Sequence, residues 1–164
     1  MAAPSDLPLL APLPFGHTLG EAIVALGGSI APPPDGVPLV DIGTAPRPRQ
    51  GAFHIRTLFS GWRDGIVPAQ ADVSPTLSPV MALAPMLAAA LAVNEAFLFV
   101  SGQHGIAGRH TAGLSLWDPS SDRDWLGPSA DEPEMHLLPS RLWLIGLGHL
   151  GQAYLWALGL LPYG

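Results

Sequence analysis

The sequence predicts an α/β fold, and three observations predict it. Short apolar runs of strand length occur at 37–42, 52–62 and 114–117. Between them lie two segments with helical character, 15–26 and 80–100. Near the C-terminus a third kind of signal appears: an apolar run, a glycine-rich turn and an apolar helix in immediate succession. At 164 residues the length suits one domain or slightly more, and a chain of that size hides roughly 68–70% of its unfolded surface. Glycine and proline number 19 each, so long unbroken helices are few and loops are many.

The elements follow in order. Residues 1–14 hold Pro4, Pro8, Pro12 and Pro14 among four leucines, with no basic region and no unbroken apolar core. That composition reads as a flexible proline-rich arm, not a signal peptide. Over 15–26, Leu19, Ile23 and Leu26 fall at helical spacing. Thr18 and Glu21 form a capping box, and Gly27-Gly28 stops the helix. A strand over 37–42 is confined by Pro38 to a strand start or an edge. Residues 44–51 are a polar linker. In 52–62 Phe53, Ile55 and Thr57 share one face before the alternation slips at Leu58-Phe59, which predicts a strand with a bulge. Residues 65–79 read as a loop.

The strongest helix is 80–100, rich in Ala, Leu and Met and apolar nearly all round. Ser78 or Pro79 marks its start and Gly102 its end. Glu95 on this helix is expected to bond a neighbouring loop or to point out at the helix end, with a functional carboxylate as the alternative. The glycine-rich loop that follows carries His104, Arg109 and His110, which read as a solvated loop with an anion site as the alternative. Residues 118–140 are acidic and proline-bearing, a linker between two units. Trp117 and Trp125 are expected to be partly buried there.

Composition excludes several chemistries. All seven basic residues are arginine, against 13 acids and a net charge of −6. Nucleic-acid binding needs a basic surface, and there is none. A lysine nucleophile is impossible. With no cysteine, so are disulfides, zinc–thiolate sites and thioesters on this chain; a cytoplasmic location fits. The six histidines show no metal-binding spacing, no serine sits in a nucleophile elbow, and neither a metal site nor a catalytic residue is predicted. Two stretches, 80–100 and 142–162, have membrane-spanning length. Pro85, Asn94 and Glu95 interrupt the first and four glycines the second, which argues against a membrane protein.

The chemistry-bearing motif is Gly146-Leu147-Gly148-His149-Leu150-Gly151, a full G-x-G-x-x-G between the run 142–145 and a helix over 150–158. Gly146 allows the tight turn, Gly148 lets the backbone approach a pyrophosphate, and Gly151 permits close helix packing. The helix N-terminus then faces the phosphates. Residues 142–145 read as a buried parallel strand, with Trp143 and Trp156 as core aromatics. Only 13 residues follow Gly151, whereas the acid that binds ribose is expected about 20 residues on. The fold class is therefore an N-terminal α/β region (15–117), an acidic linker (118–140), and the first strand, loop and helix of an incomplete Rossmann-like nucleotide-binding domain (141–164).

In the segments LWLIGLGHLGQAYLWALGLL (142–161) and APMLAAALAVNEAFLFV (84–100) the chain resembles the E1-like activating enzymes of the ThiF/MoeB/HesA superfamily. The resemblance implies a bacterial protein that binds ATP with Mg and adenylates a carboxylate of a ubiquitin-like or carrier protein, with a homodimer as one arrangement. By that resemblance Gly146, Gly148 and Gly151 line the nucleotide, and His149 stands in the same turn where the family has a small residue. The family's catalytic positions lie downstream of its glycine motif and have no counterpart here, so a complete enzyme is not implied. An NAD(P)-binding oxidoreductase fragment and a non-catalytic interaction module remain the alternatives.

Overall fold

The computed structural model describes residues 5–10, 13–34, 36–43, 52–75, 79, 81–120, 124–127, 131–134 and 141–161. The linker expected at 44–51, Ser78 as a helix start and parts of the acidic segment lie outside the described residues. The chain divides into two compact units, Met1–Val37 and Pro38–Gly164.

In the first unit the capping box forms as expected. Thr18 Oγ1 accepts from Glu21 N–H at 3.2 Å, and the Glu21 carboxylate accepts from the N–H groups of Thr18 and His17. Those backbone bonds hold the Glu21 carboxyl below its ordinary range. Helix α1, Leu19–Ala25, is shorter than the apolar spacing suggested, because the cap at Thr18 fixes its first turn. Gly27, with φ of +84°, closes it. The described part of the proline-rich arm is tied back to the helix: Leu9 N–H donates to His17 O, Leu19 N–H to Leu7 O and Gly20 N–H to Ser5 O.

The second unit is a four-stranded sheet in the order β1-β2-β3-β4. β1 is Leu39–Ile42, β2 His54–Ser60, β3 Arg63–Pro68 and β4 Ala112–Ser115. β1 runs parallel to β2, and the other pairs are antiparallel. The expected loop at 65–79 is corrected here, since its first part completes β3. Arg-Asp-Gly-Ile-Val-Pro has no clean alternation; it is a strand because β2 and β4 flank it and both of its faces are covered. The expected bulge is also absent. Ile55 to Ser60 pair without interruption against Pro68 to Arg63, and Gly61, with φ of +59°, takes the first central position of the two-residue turn, where a type II′ hairpin takes glycine.

Helix α2, Leu83–Val100, covers one face of the sheet. Ala92, Leu91, Ala96 and Phe99 pack on Val40, Phe53, Ile55, Ile66 and Ala112. Pro85 falls in the first turn, where its missing N–H has no intrahelical acceptor to lose. The helix is long and apolar enough to cross a membrane by length and composition, yet its inner face is seated on the sheet. Its outer side chains Val93, Phe97 and Val100 are exposed.

Loops cover the opposite face. Trp125, from the segment expected to be a linker, lies with Leu58 and Val67. It fits there because β3 and β4 present Gly65 and Gly113 side by side; a Cβ on either would run into the indole ring. Around that contact the face is polar. Arg56 Nη2 donates to the carbonyls of Ala71 and Val73, both at 2.6 Å. Arg63 donates to Gly127 O and lies 3.2 Å from a Glu132 carboxylate oxygen, while Ser115 Oγ donates to the other oxygen of Glu132. His54 Nε2 donates to Asp41 Oδ2 at 2.9 Å.

The C-terminal segment differs from expectation. Residues 142–147 form no regular element and pair with none of the described strands. Trp143 is 90% and Ile145 92% exposed, and Trp156 is also exposed. They are not core residues here. Helix α3, His149–Leu158, does form.

The contact between Trp125 and the two glycines yields a test. Gly113→Ala should lower the unfolding free energy by about 1–3 kcal/mol through overpacking, measured by urea denaturation. Gly105→Ala, where an added Cβ meets nothing within 4 Å, should leave the midpoint nearly unchanged.

Candidate functional site

The glycine turn begins at Gly146. Its φ of +93° lies where side chains other than hydrogen are disfavoured, so the tight reversal out of the apolar run needs glycine. Gly151 is constrained by space: a Cβ there would strike the carbonyl oxygen of Gly146. The first and third glycines of the motif therefore depend on each other.

Gly148 is different. It is the N-cap of α3, with φ of −66° and extended ψ, a conformation open to any residue. A Cβ there would meet no atom beyond its chain neighbours within 4 Å. Among the described residues the space over the start of α3 is thus clear, and glycine is also an accepted N-cap there. No side chain caps the helix, and its first turn contains no acid. The turn is braced from within: Gln152 N–H donates to Gly148 O at 3.0 Å, and its side-chain amide donates to Leu147 O at 3.1 Å. His149 is the first residue of α3 and is exposed. The four predicted positions come together in one turn whose free backbone N–H groups and helix dipole suit an anion.

The loop with His104, Arg109 and His110 is organised by Glu95. The buried Glu95 carboxylate accepts from Gly108 N–H at 2.8 Å, as the sequence led one to expect, and lies 3.7 Å from His110 Nε2. His104 and Arg109 are exposed. Among the described residues no group of three or more His, Asp or Glu could hold a metal ion. Sequence reasoning missed the polar sheet face. Its one local signal was the alternation of His54 and Arg56 with Phe53, Ile55 and Thr57; the partners Asp41, Ala71, Val73 and Glu132 are too distant in sequence to be inferred.

Comparison with known proteins bears on this turn directly. Residues 1–116 match the BilD N-terminal domain and residues 138–164 the BilD C-terminal domain. The chain belongs to the BilD family. It is 44% identical over 146 residues to the protein named "Bacterial E1-like protein BilD" from Collimonas sp. (strain OK412). That match covers 88% of this chain and 31% of the relative, so the chain spans about a third of the relative's length. No solved structure matches it. These matches support the expectation of a bacterial E1-like protein, and the glycine turn falls within the part shared with the BilD C-terminal domain.

The glycines make separable predictions. Gly151→Ala should force α3 away from Gly146 and speed hydrogen exchange at Gln152 N–H at least about tenfold, a loss of roughly 1.4 kcal/mol in local stability. Gly148→Ser, which keeps a good N-cap, should leave that exchange rate unchanged.

Proposed function

We propose that this chain is the front part of an E1-like protein that binds ATP at the turn Gly146 to Gly151 and adenylates a carboxylate of a ubiquitin-like or other small protein. The observation that carries this reading is the clear space over Gly148 at an uncapped helix start. As an N-cap glycine is better than alanine but poorer than Ser, Asn or Asp, and a phosphate approaching the backbone favours the residue without a side chain. The name of the Collimonas relative, an E1-like protein, supports the same reading.

In such a reaction the partner's carboxylate oxygen attacks the α-phosphorus of ATP. Pyrophosphate leaves, and an acyl-adenylate remains. The residues described here bind and orient the phosphates: the first N–H groups of α3 donate to phosphate oxygens, and the helix dipole favours their charge. Among the described residues no cluster of acids fits magnesium. The lack of lysine and cysteine agrees with a part that binds and does not itself react. The use of ATP and the absence of cysteine favour the cytoplasm.

Calorimetry on the intact protein tests this. ATP should bind and NAD should not. Gly148→Val should weaken ATP at least about tenfold, close to 1.4 kcal/mol, while α3 stays folded. Equal ATP binding by both forms would contradict the phosphate assignment, and preference for NAD would move the protein to the oxidoreductase alternative.

A further inference from the structure

Asp64 is the most isolated ionisable group in the described structure. It lies in β3 with no measurable exposure, and neither carboxylate oxygen has a hydrogen-bond partner among the described residues. Its neighbours across the ladder are Phe59 and Leu114, and it shares its sheet face with Thr57 and Ile66. This is the face that α2 covers. The helix runs antiparallel to β2: Phe99 stacks on Phe53 at one end, with ring centroids 5.0 Å apart, and Met81 N–H donates to Gly61 O at the other. The first turns of α2, with Ala84 and Ala88 fully buried, therefore lie over the hairpin end that holds Asp64.

Among the described residues no cation faces it there. β2 presents Phe53, Ile55, Thr57 and Phe59 on this side, β4 Ala112 and Leu114, and β1 Val40 and Ile42. The Thr57 hydroxyl donates to Asp41 O. The one ionisable residue of α2 is Glu95, at the far end and bound to the loop that carries His110. Arg56, Arg63, His54 and Asp41 belong to the opposite face. An ionised carboxylate in such surroundings lacks both water and a partner.

We propose that Asp64 makes the seat of α2 a pH-sensitive latch, closed while its carboxyl is protonated and loosened, with α2 lifting ahead of the sheet, when it ionises. The start of α2 has no side-chain cap, and next to its first turns the outer side exposes Ala89 and Ala90. The strands are held by ladder hydrogen bonds on both sides of β3. Lifting the first turns of α2 is thus the shortest route by which water reaches Asp64.

Burial pushes the Asp64 carboxyl up from 3.8 to about 7. The closed form therefore keeps a proton that the open form releases near pH 4. The opening constant of α2 should rise about tenfold per pH unit between roughly 4 and 7 and level off above.

Hydrogen exchange on the full chain, corrected for the intrinsic pH dependence, reads this residue by residue. The α2 amides should lose protection over that window while β2 and β3 amides keep theirs. Asp64→Asn should flatten the α2 profile, and Asp64→Leu provides a second uncharged variant should the first not fold. An unchanged profile in an uncharged variant would overturn the proposal, as would equal loss of protection in α2, β2 and β3.

Discussion

The β2–β3 hairpin is buried on both faces, and this condition governs the rest of the unit Pro38–Gly164. A strand pair with one wet face can leave its polar residues to solvent. Here Arg56, Arg63, His54 and Asp64 all leave water with it. A buried pair that loses one member costs about 3–5 kcal/mol, against roughly 0–1 for an exposed pair. The segments that supply acceptors to Arg56 and Arg63 are therefore structural parts of the unit. Residues 71–73 offer carbonyls, and 124–132 offer Trp125, the Gly127 carbonyl and Glu132. The acidic composition of the latter segment serves the sheet as well as solubility.

The C-terminal turn obeys a different rule. Its shape is set within a few residues by the φ of Gly146, the clash that excludes a side chain at Gly151, and the bonds of Gln152. Such a glycine turn can thus form without a sheet around it. Strand pairing cannot, because ladder hydrogen bonds need a neighbour. That difference explains why α3 and its turn are formed while 142–147 stands unpaired with Trp143 and Ile145 in solvent.

Local signals were the legible ones. The Thr18–Glu21 capping box, the bond from Glu95 to its neighbouring loop and the glycine motif join residues close in sequence, and the apolar stretch of α2 is one continuous run. The missed features are contacts between distant segments. β3 lacks a periodic pattern because Gly65 is reserved for an indole and Arg63 and Asp64 are buried for opposite reasons, one paired and one not. The tryptophans show the same limit: the sequence places Trp143 in the core and Trp125 in a linker, yet two glycines on neighbouring strands give Trp125 a seat, while nothing described covers Trp143.

The central claim is that the start of α3 receives phosphate. Amide resonances of the intact, isotopically labelled protein, followed while ATP is added, report on it directly. The largest shifts should fall on Gly148, His149, Leu150 and Gly151, with the Arg109 loop unmoved. Shifts centred on the Arg109 loop, or none within the turn at saturating ATP, would contradict the account.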